Sequence, residues 1–333
     1  MIKYKMKFKS LLLIIAVVGI SCNSKPGEKK GINEVASTVE KTANALEIID
    51  ISQKQLALYN MHQDTDSAIR AKIFRDSLYY PYQDIWDGYV NGRETFDLVA
   101  EHYGIRKIAE LNEKNKLFYS KKNNGALLDA FFKVRDGMEK LTGHKPKGKW
   151  YLLYGPSLAN LGGVGEGVMF IDFAFPENKN LKSVINWFPH ELNHQILSNT
   201  SIDTSHNVLA RCIDEGFATY VNKLYWNNIE GNKDYSLAMS LSYSEEELKA
   251  ADEDWDFVLT FFKENYLSVD KSIINKFGAQ NEKLKENLPG KIGYLIGYRI
   301  VENYVGLHGS DSWKDIYDLS FEELLDKSEF LEQ

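Results

Sequence analysis

The chain has 333 residues, 44% of them hydrophobic and 26% charged, a composition that excludes a fibrous or wholly disordered protein. Its formal charge of −7 offers no polybasic surface, so nucleic acid is excluded as the main partner. With two cysteines, Cys22 and Cys212, there is no disulfide framework to staple a small core.

The first residues read as a targeting segment. Lys3, Lys5, Lys7 and Lys9 precede the apolar run Leu11–Ile20, too short to stay as a membrane span. The following Gly19-Ile20-Ser21-Cys22 resembles a bacterial lipobox. That resemblance implies a signal peptide over 1–21, lipidation at Cys22, and a chain held at a membrane of the bacterial cell envelope, periplasmic or outer. A plain secretory signal or a retained anchor are the alternatives. Loss of the four lysines takes the formal charge to −11. Residues 22–46, rich in Lys, Gly, Ser and Pro at their start, are expected to form a flexible tether, with Val35–Leu46 either extending it or opening a helix.

Residues 47–145 are predicted to be mostly helical. Ser67–Ser77, Thr95–Tyr103 and Gly125–Leu141 place apolar residues at three- and four-residue spacing, and aromatics such as Trp86, Phe131 and Phe132 read as helix-packing core. The remainder, 146–333, is expected to form one compact unit with them. Trp150–Tyr154 and Val168–Phe175 have strand character. The glycines between them, Gly162, Gly163, Gly165 and Gly167, lack the Lys-Ser/Thr ending of a phosphate loop and precede a strand, so a loop entering an edge strand is expected there.

The chemistry concentrates in Phe188–Leu197, FPHELNHQIL. On a helix, His190 and His194 share one face and can converge on a metal ion, while Glu191 can act as general base on a metal-bound water. Pro189 allows either a helix starting near Trp187 or one starting near Lys182 with a kink. Two histidines are an incomplete site, because catalytic zinc takes three protein ligands. Downstream candidates are His206, Asp214 and Glu215. Glu215 is preferred, since small Ala218 on its face permits a close helix approach and 21 residues from His194 suffice for a turn between two helices.

HExxH followed by EGxAxY at residues 215–220 resembles the gluzincin, or peptidase MA-like, zinc metallopeptidases. The resemblance implies His190, His194 and Glu215 as zinc ligands, Glu191 as catalytic base and a tyrosine as oxyanion donor. Tyr298 is favoured for that last role over Tyr294, one turn earlier. Asp214 is expected to orient a histidine. From about Lys149 onward, with Gly293–Val301 reading GYLIGYRIV, the chain is also similar to bacterial predicted zinc-dependent proteases and to gliding-motility-associated lipoproteins. The expected fold is α+β and zincin-like, mostly helical, with a small sheet packed on the HExxH helix. By analogy the Val168–Phe175 strand would line the cleft as an edge to which an extended peptide can add. The expected function is a membrane-anchored zinc metallopeptidase acting on peptide or protein. The alternative is a non-enzymatic envelope lipoprotein of gliding or secretion machinery, working through protein partners.

Overall fold

The computed structural model describes residues 46–120, 125–165, 167–201, 203 and 205–332, all within one compact unit spanning Thr38–Gln333. The expected signal peptide, the expected lipidation at Cys22 and the expected tether up to residue 45 lie outside the described residues. Among those described, a small mixed sheet is embedded in a mostly helical chain.

The sheet runs in the order β1-β2-β4-β3, from β1 (Leu46–Asp50), β2 (Gly148–Leu153), β3 (Leu161–Gly165) and β4 (Val168–Asp172). β1 and β4 flank β2 in parallel, and β3 pairs antiparallel with β4 through a bulge between Gly163 and Gly165. Two expectations change here. Leu46, placed at the end of the tether, opens a strand within the stretch read as helical. The Val168–Phe175 strand is shorter and internal, with the glycine-rich β3 as the outer strand beyond it. Glycine is depleted in strands because it has no side chain to pack, so β3 carries almost no strand signal of its own.

Among the described residues, six α-helices fill the connection from β1 to β2: α1 (Ser52–Met61), α2 (Ser67–Phe74), α3 (Gln83–Val90), α4 (Arg93–Glu101), α5 (Ile108–Phe118) and α6 (Ala126–Thr142). Since β1 and β2 pair, these helices are an excursion from the sheet and not a separate appendage. Alternation along the strands then assigns the layers. Tyr151 and Phe170 are register partners facing α3, where the Tyr151 hydroxyl donates to Asp84 at 2.8 Å and Tyr89 stacks on Phe170 at 4.0 Å. Trp150 faces the other way, meeting Phe131 of α6 at 4.9 Å. Helix α6 buries Leu127, Phe131, Val134 and Met138 at helical spacing and stops at Gly143 in the left-handed region, φ 79°.

The second half adds α7 (Leu181–Ile185), α8 (Phe188–Thr200), α9 (Val208–Leu224), α10 (Leu237–Leu241), α11 (Glu245–Glu253), α12 (Trp255–Asn265), α13 (Lys271–Gly278), α14 (Ile292–His308) and α15 (Phe321–Lys327). Helix α14 is buried on nearly every side through its first ten residues, which marks it as the centre of this half. It runs alongside α9 in the same direction, with Gly293 at Cys212 and Gly297 at Cys212 and Gly216. A β-carbon on Gly297 would lie 1.8 Å from the Cys212 carbonyl oxygen, and one on Gly216 would lie 2.2 Å from Gly297 backbone.

This contact and a control position on the same helix make a paired test. Gly297→Ala is expected to destabilise the fold by about 3 kcal/mol or more, because rigid backbone faces the new methyl. Gly306→Ala has nothing within 4 Å and sits exposed near the end of α14. It should gain about 0.5 kcal/mol from helix propensity. Urea unfolding of both variants checks the pair; equal effects would disprove the bare-backbone contact.

Candidate metal centre

Helix α8 starts at Phe188, with Pro189 in the first turn, where a missing N–H costs no intrahelical bond. The short α7 ends at Ile185, so the chain takes the first of the two geometries that Pro189 permits. Gln195 fixes the helix to the sheet: its Nε2 donates to the Gly167 carbonyl at 3.0 Å, and its Oε1 accepts from the Trp150 indole at 3.1 Å. A neighbouring face of the helix presents His190 and His194, whose Nε2 atoms are 3.1 Å apart. Helix α9, capped by the Asn207 side chain accepting from the Ala210 N–H, delivers Glu215 to the same point. Glu215 Oε2 lies 3.3 Å from each histidine Nε2.

These three separations test whether a metal ion fits. Ligands at about 2.0–2.1 Å from a tetrahedral zinc ion lie roughly 3.3–3.4 Å from one another. The triangle of 3.1, 3.3 and 3.3 Å matches that spacing closely. It joins two imidazoles and a carboxylate, a donor set that zinc accepts.

The surroundings orient the ligands. His194 Nδ1–H donates to Asp214 Oδ1 at 2.7 Å, which turns Nε2 toward the cluster. Burial opposes a charge on His194, yet Asp214 and Glu215 together push it well above the ordinary histidine range. Burial likewise opposes a charge on Glu215. The Arg211 guanidinium, with Nη1 2.8 Å from Glu215 Oε1, and then His194 hold this carboxyl well below its usual range. His190 Nδ1 is buried without a hydrogen-bond partner among the described residues, so Nε2 carries the polar contacts of that side chain. Glu191, half-buried beside the cluster, is raised above an ordinary carboxylate by burial, with Glu215 and Asp214 reinforcing the shift and the two histidines opposing it.

The tyrosine pair divides differently from the ranking drawn from sequence. Tyr294 lies at the cluster, its ring parallel to His190 at 6.0 Å. Burial first, then the charge of Glu215, push its ionisation far above the usual range, so it stays an O–H donor. The Tyr298 hydroxyl instead accepts from Lys223 at 2.9 Å and donates to Glu302 at 3.2 Å, one turn farther along α14 and away from the three ligands. The Gly216–Gly297 contact produces this split: with parallel helices, Tyr294 pairs with the Glu215 turn and Tyr298 with the Lys223 turn. His206 is exposed and takes no part in the cluster.

Two cations were not singled out from the sequence. Arg211 had a signal, since it lies four residues before Glu215 and therefore on the same helical face. Lys291 had none, because it enters from the loop that precedes α14. Its ammonium sits over the rings of Trp187 and Tyr294, at 6.0 and 5.3 Å from their centroids.

A sequence-family model described as "Gliding motility protein GldB" matches residues 186–331. Over that stretch the chain resembles gliding-motility proteins. It includes α8, α9 and α14, and with them His190, Glu191, His194, Arg211, Asp214, Glu215 and Tyr294, but no strand of the sheet. No curated protein and no solved structure matches the chain. The gluzincin resemblance gains no support from these matches.

Removing one ligand should remove the site. His194→Ala is expected to abolish stoichiometric zinc uptake, and Asp214→Asn to weaken it about 10–100-fold by releasing the imidazole. Competition against a chromogenic chelator measures both; an Asp214→Asn protein with unchanged affinity would show that this hydrogen bond does not tune the site.

Proposed function

We propose that this chain is a zinc-holding lipoprotein of the bacterial cell envelope that serves gliding motility through protein contacts. The observation that carries the reading is a coincidence of two features in one segment. The stretch resembling gliding-motility proteins, 186–331, is also the stretch that builds the ligand triangle. No helix among the described residues is long and apolar enough to cross a membrane, which suits attachment through lipid at Cys22.

A second reading, zinc-dependent hydrolysis of peptide bonds, is favoured by the position of Glu191. Three protein ligands leave a fourth position for water, the arrangement of catalytic zinc rather than of a closed structural site. A bound ion there would supply Lewis acidity and a water made acidic enough to react near neutral pH. Glu191, one residue from a ligand and raised in affinity for protons, would accept the water proton and pass it to the departing amine. Tyr294, kept neutral by burial, would donate its hydroxyl proton in a hydrogen bond to the carbonyl oxygen.

One pair of variants separates the readings. In a motile host lacking the endogenous copy, His194→Ala is expected to fail to restore gliding and Glu191→Gln to restore it. A digest of a broad peptide library by the purified chain should then show no cleavage. Failure of Glu191→Gln to restore gliding, together with library cleavage that the substitution abolishes, would establish the hydrolase instead. A wild-type chain that takes up no zinc would sink both.

A further inference from the structure

Lys291 occupies a costly position. It precedes α14 with φ 56° and ψ 32°, in the left-handed region that a non-glycine residue enters at a cost of about 1 kcal/mol or more. Glycine or asparagine would serve as a simple chain reversal at lower cost. What the lysine adds is an ammonium in a defined place. The two rings beneath it, Trp187 and Tyr294, are the same rings that pack on His190, at 5.4 and 6.0 Å. The charge is therefore held beside the ligand triangle by the groups that wall it. Among the described residues this ammonium makes no hydrogen bond and no ion pair.

The charges around it indicate what it faces. Four carboxylates, Glu177, Glu191, Asp214 and Glu215, stand against two cations, Arg211 and Lys291. A divalent ion on the triangle offsets that excess of two negative charges and leaves the Lys291 ammonium without an ion partner of its own. A singly charged carboxylate at the ammonium disturbs that balance less than a phosphate dianion does. Little of the cluster is exposed: His190 and Glu215 are only 2% and 5% exposed, while Glu191 and His194 are half-buried. A small exposed area beside an ammonium suits the end of a chain better than its middle.

We propose that Lys291 and the bound ion form a subsite for the free C-terminal carboxylate of a peptide, with Lys291 as the residue that reads its charge. The inference rests on the zinc reading above and holds whether the peptide is a docked partner or a substrate. The carboxylate enters beside Glu191, between the ion and the ammonium, over the apolar floor of Trp187 and Tyr294.

The test uses the full mature chain loaded with cobalt, whose visible absorption reports ligands near the metal. The probes are N-acetyl-phenylalanine, its neutral amide and inorganic phosphate. The acid is expected to perturb the cobalt spectrum at least about tenfold more tightly than the amide, equivalent to about 1.4 kcal/mol. Lys291→Met, which keeps the stem, should bring the acid down to the amide while leaving cobalt affinity and the amide unchanged. Lys291→Arg should restore most of the difference, and a thermal melt confirms that each variant is folded. A cobalt-loaded Lys291→Met protein that still binds the acid as wild type does overturns the subsite alone. Phosphate losing more affinity than the acid in that variant overturns the carboxylate assignment. A wild-type chain that takes up no cobalt or zinc overturns the zinc reading, and the subsite with it.

Discussion

The site depends on two helices touching at bare backbone. Gly216 of α9 and Gly297 of α14 meet with no room for a methyl on either, so neither helix can slide or rotate without collision. Because the helices run the same way, one turn of each faces the same point. From α9 that turn brings Arg211, Asp214 and Glu215, and from α14 it brings Tyr294, with Lys291 at the entry. Helix α8 then adds His190, Glu191 and His194 from across α9. Three elements distant in sequence meet at fixed phase, which is how a carboxylate oxygen comes to lie 3.3 Å from two different imidazole nitrogens.

The sheet holds this assembly from behind, and the first helices hold the sheet. Gln195 ties α8 to both Trp150 and the turn at Gly167. On the opposite face, buried Asp172 at the end of β4 accepts from the N–H groups of Gly155, Ser157 and Ala174 and from the Tyr89 hydroxyl. Burial pushes this carboxyl up to about 6, and those four donors resist the shift. Through it the loop after β2, the last residues of β4 and helix α3 share one polar centre. The helices between β1 and β2 thus brace the strand that carries Trp150, and through it the helix that carries the histidines.

What could be read from the sequence was local in kind. The four-residue spacing of His190 and His194 needs only a helix to become a pair, and Glu215 is found by asking which nearby carboxylate precedes a small residue at helical spacing. Glycines at 293 and 297 lie four residues apart on one helical face, a spacing that permits close approach without naming the partner. What escaped depended on pairing between distant segments. Leu46–Asp50 becomes a strand only because it lies beside Gly148–Leu152, about a hundred residues on. Leu161–Gly165 becomes one because Val168–Asp172 folds back against it, despite a composition that argues for a loop. Tyr294 and Tyr298 are alike in sequence, and only the crossing point with α9 distinguishes the one at the cluster from the one that meets Lys223.

The division of labour within Glu215 bears on both functional readings. Its Oε2 faces the histidines while Oε1 is occupied by Arg211, so one oxygen is available to an ion and the second is withheld. A carboxylate free to bind through both oxygens would fill coordination space that this arrangement leaves open. Arg211 also places a positive charge next to a cation site, which weakens attraction for the ion while strengthening attraction for an anion beside it. A site evolved only to staple the fold gains nothing from that exchange, since closure by a fourth protein ligand would bind the metal more tightly. Three candidate ligands, a pinned carboxylate and a second cation at Lys291 are instead what the proposed readings require of a centre that receives something from outside. Whether the visitor is cut or merely held then turns on Glu191, the half-buried carboxylate that ligates nothing in the triangle.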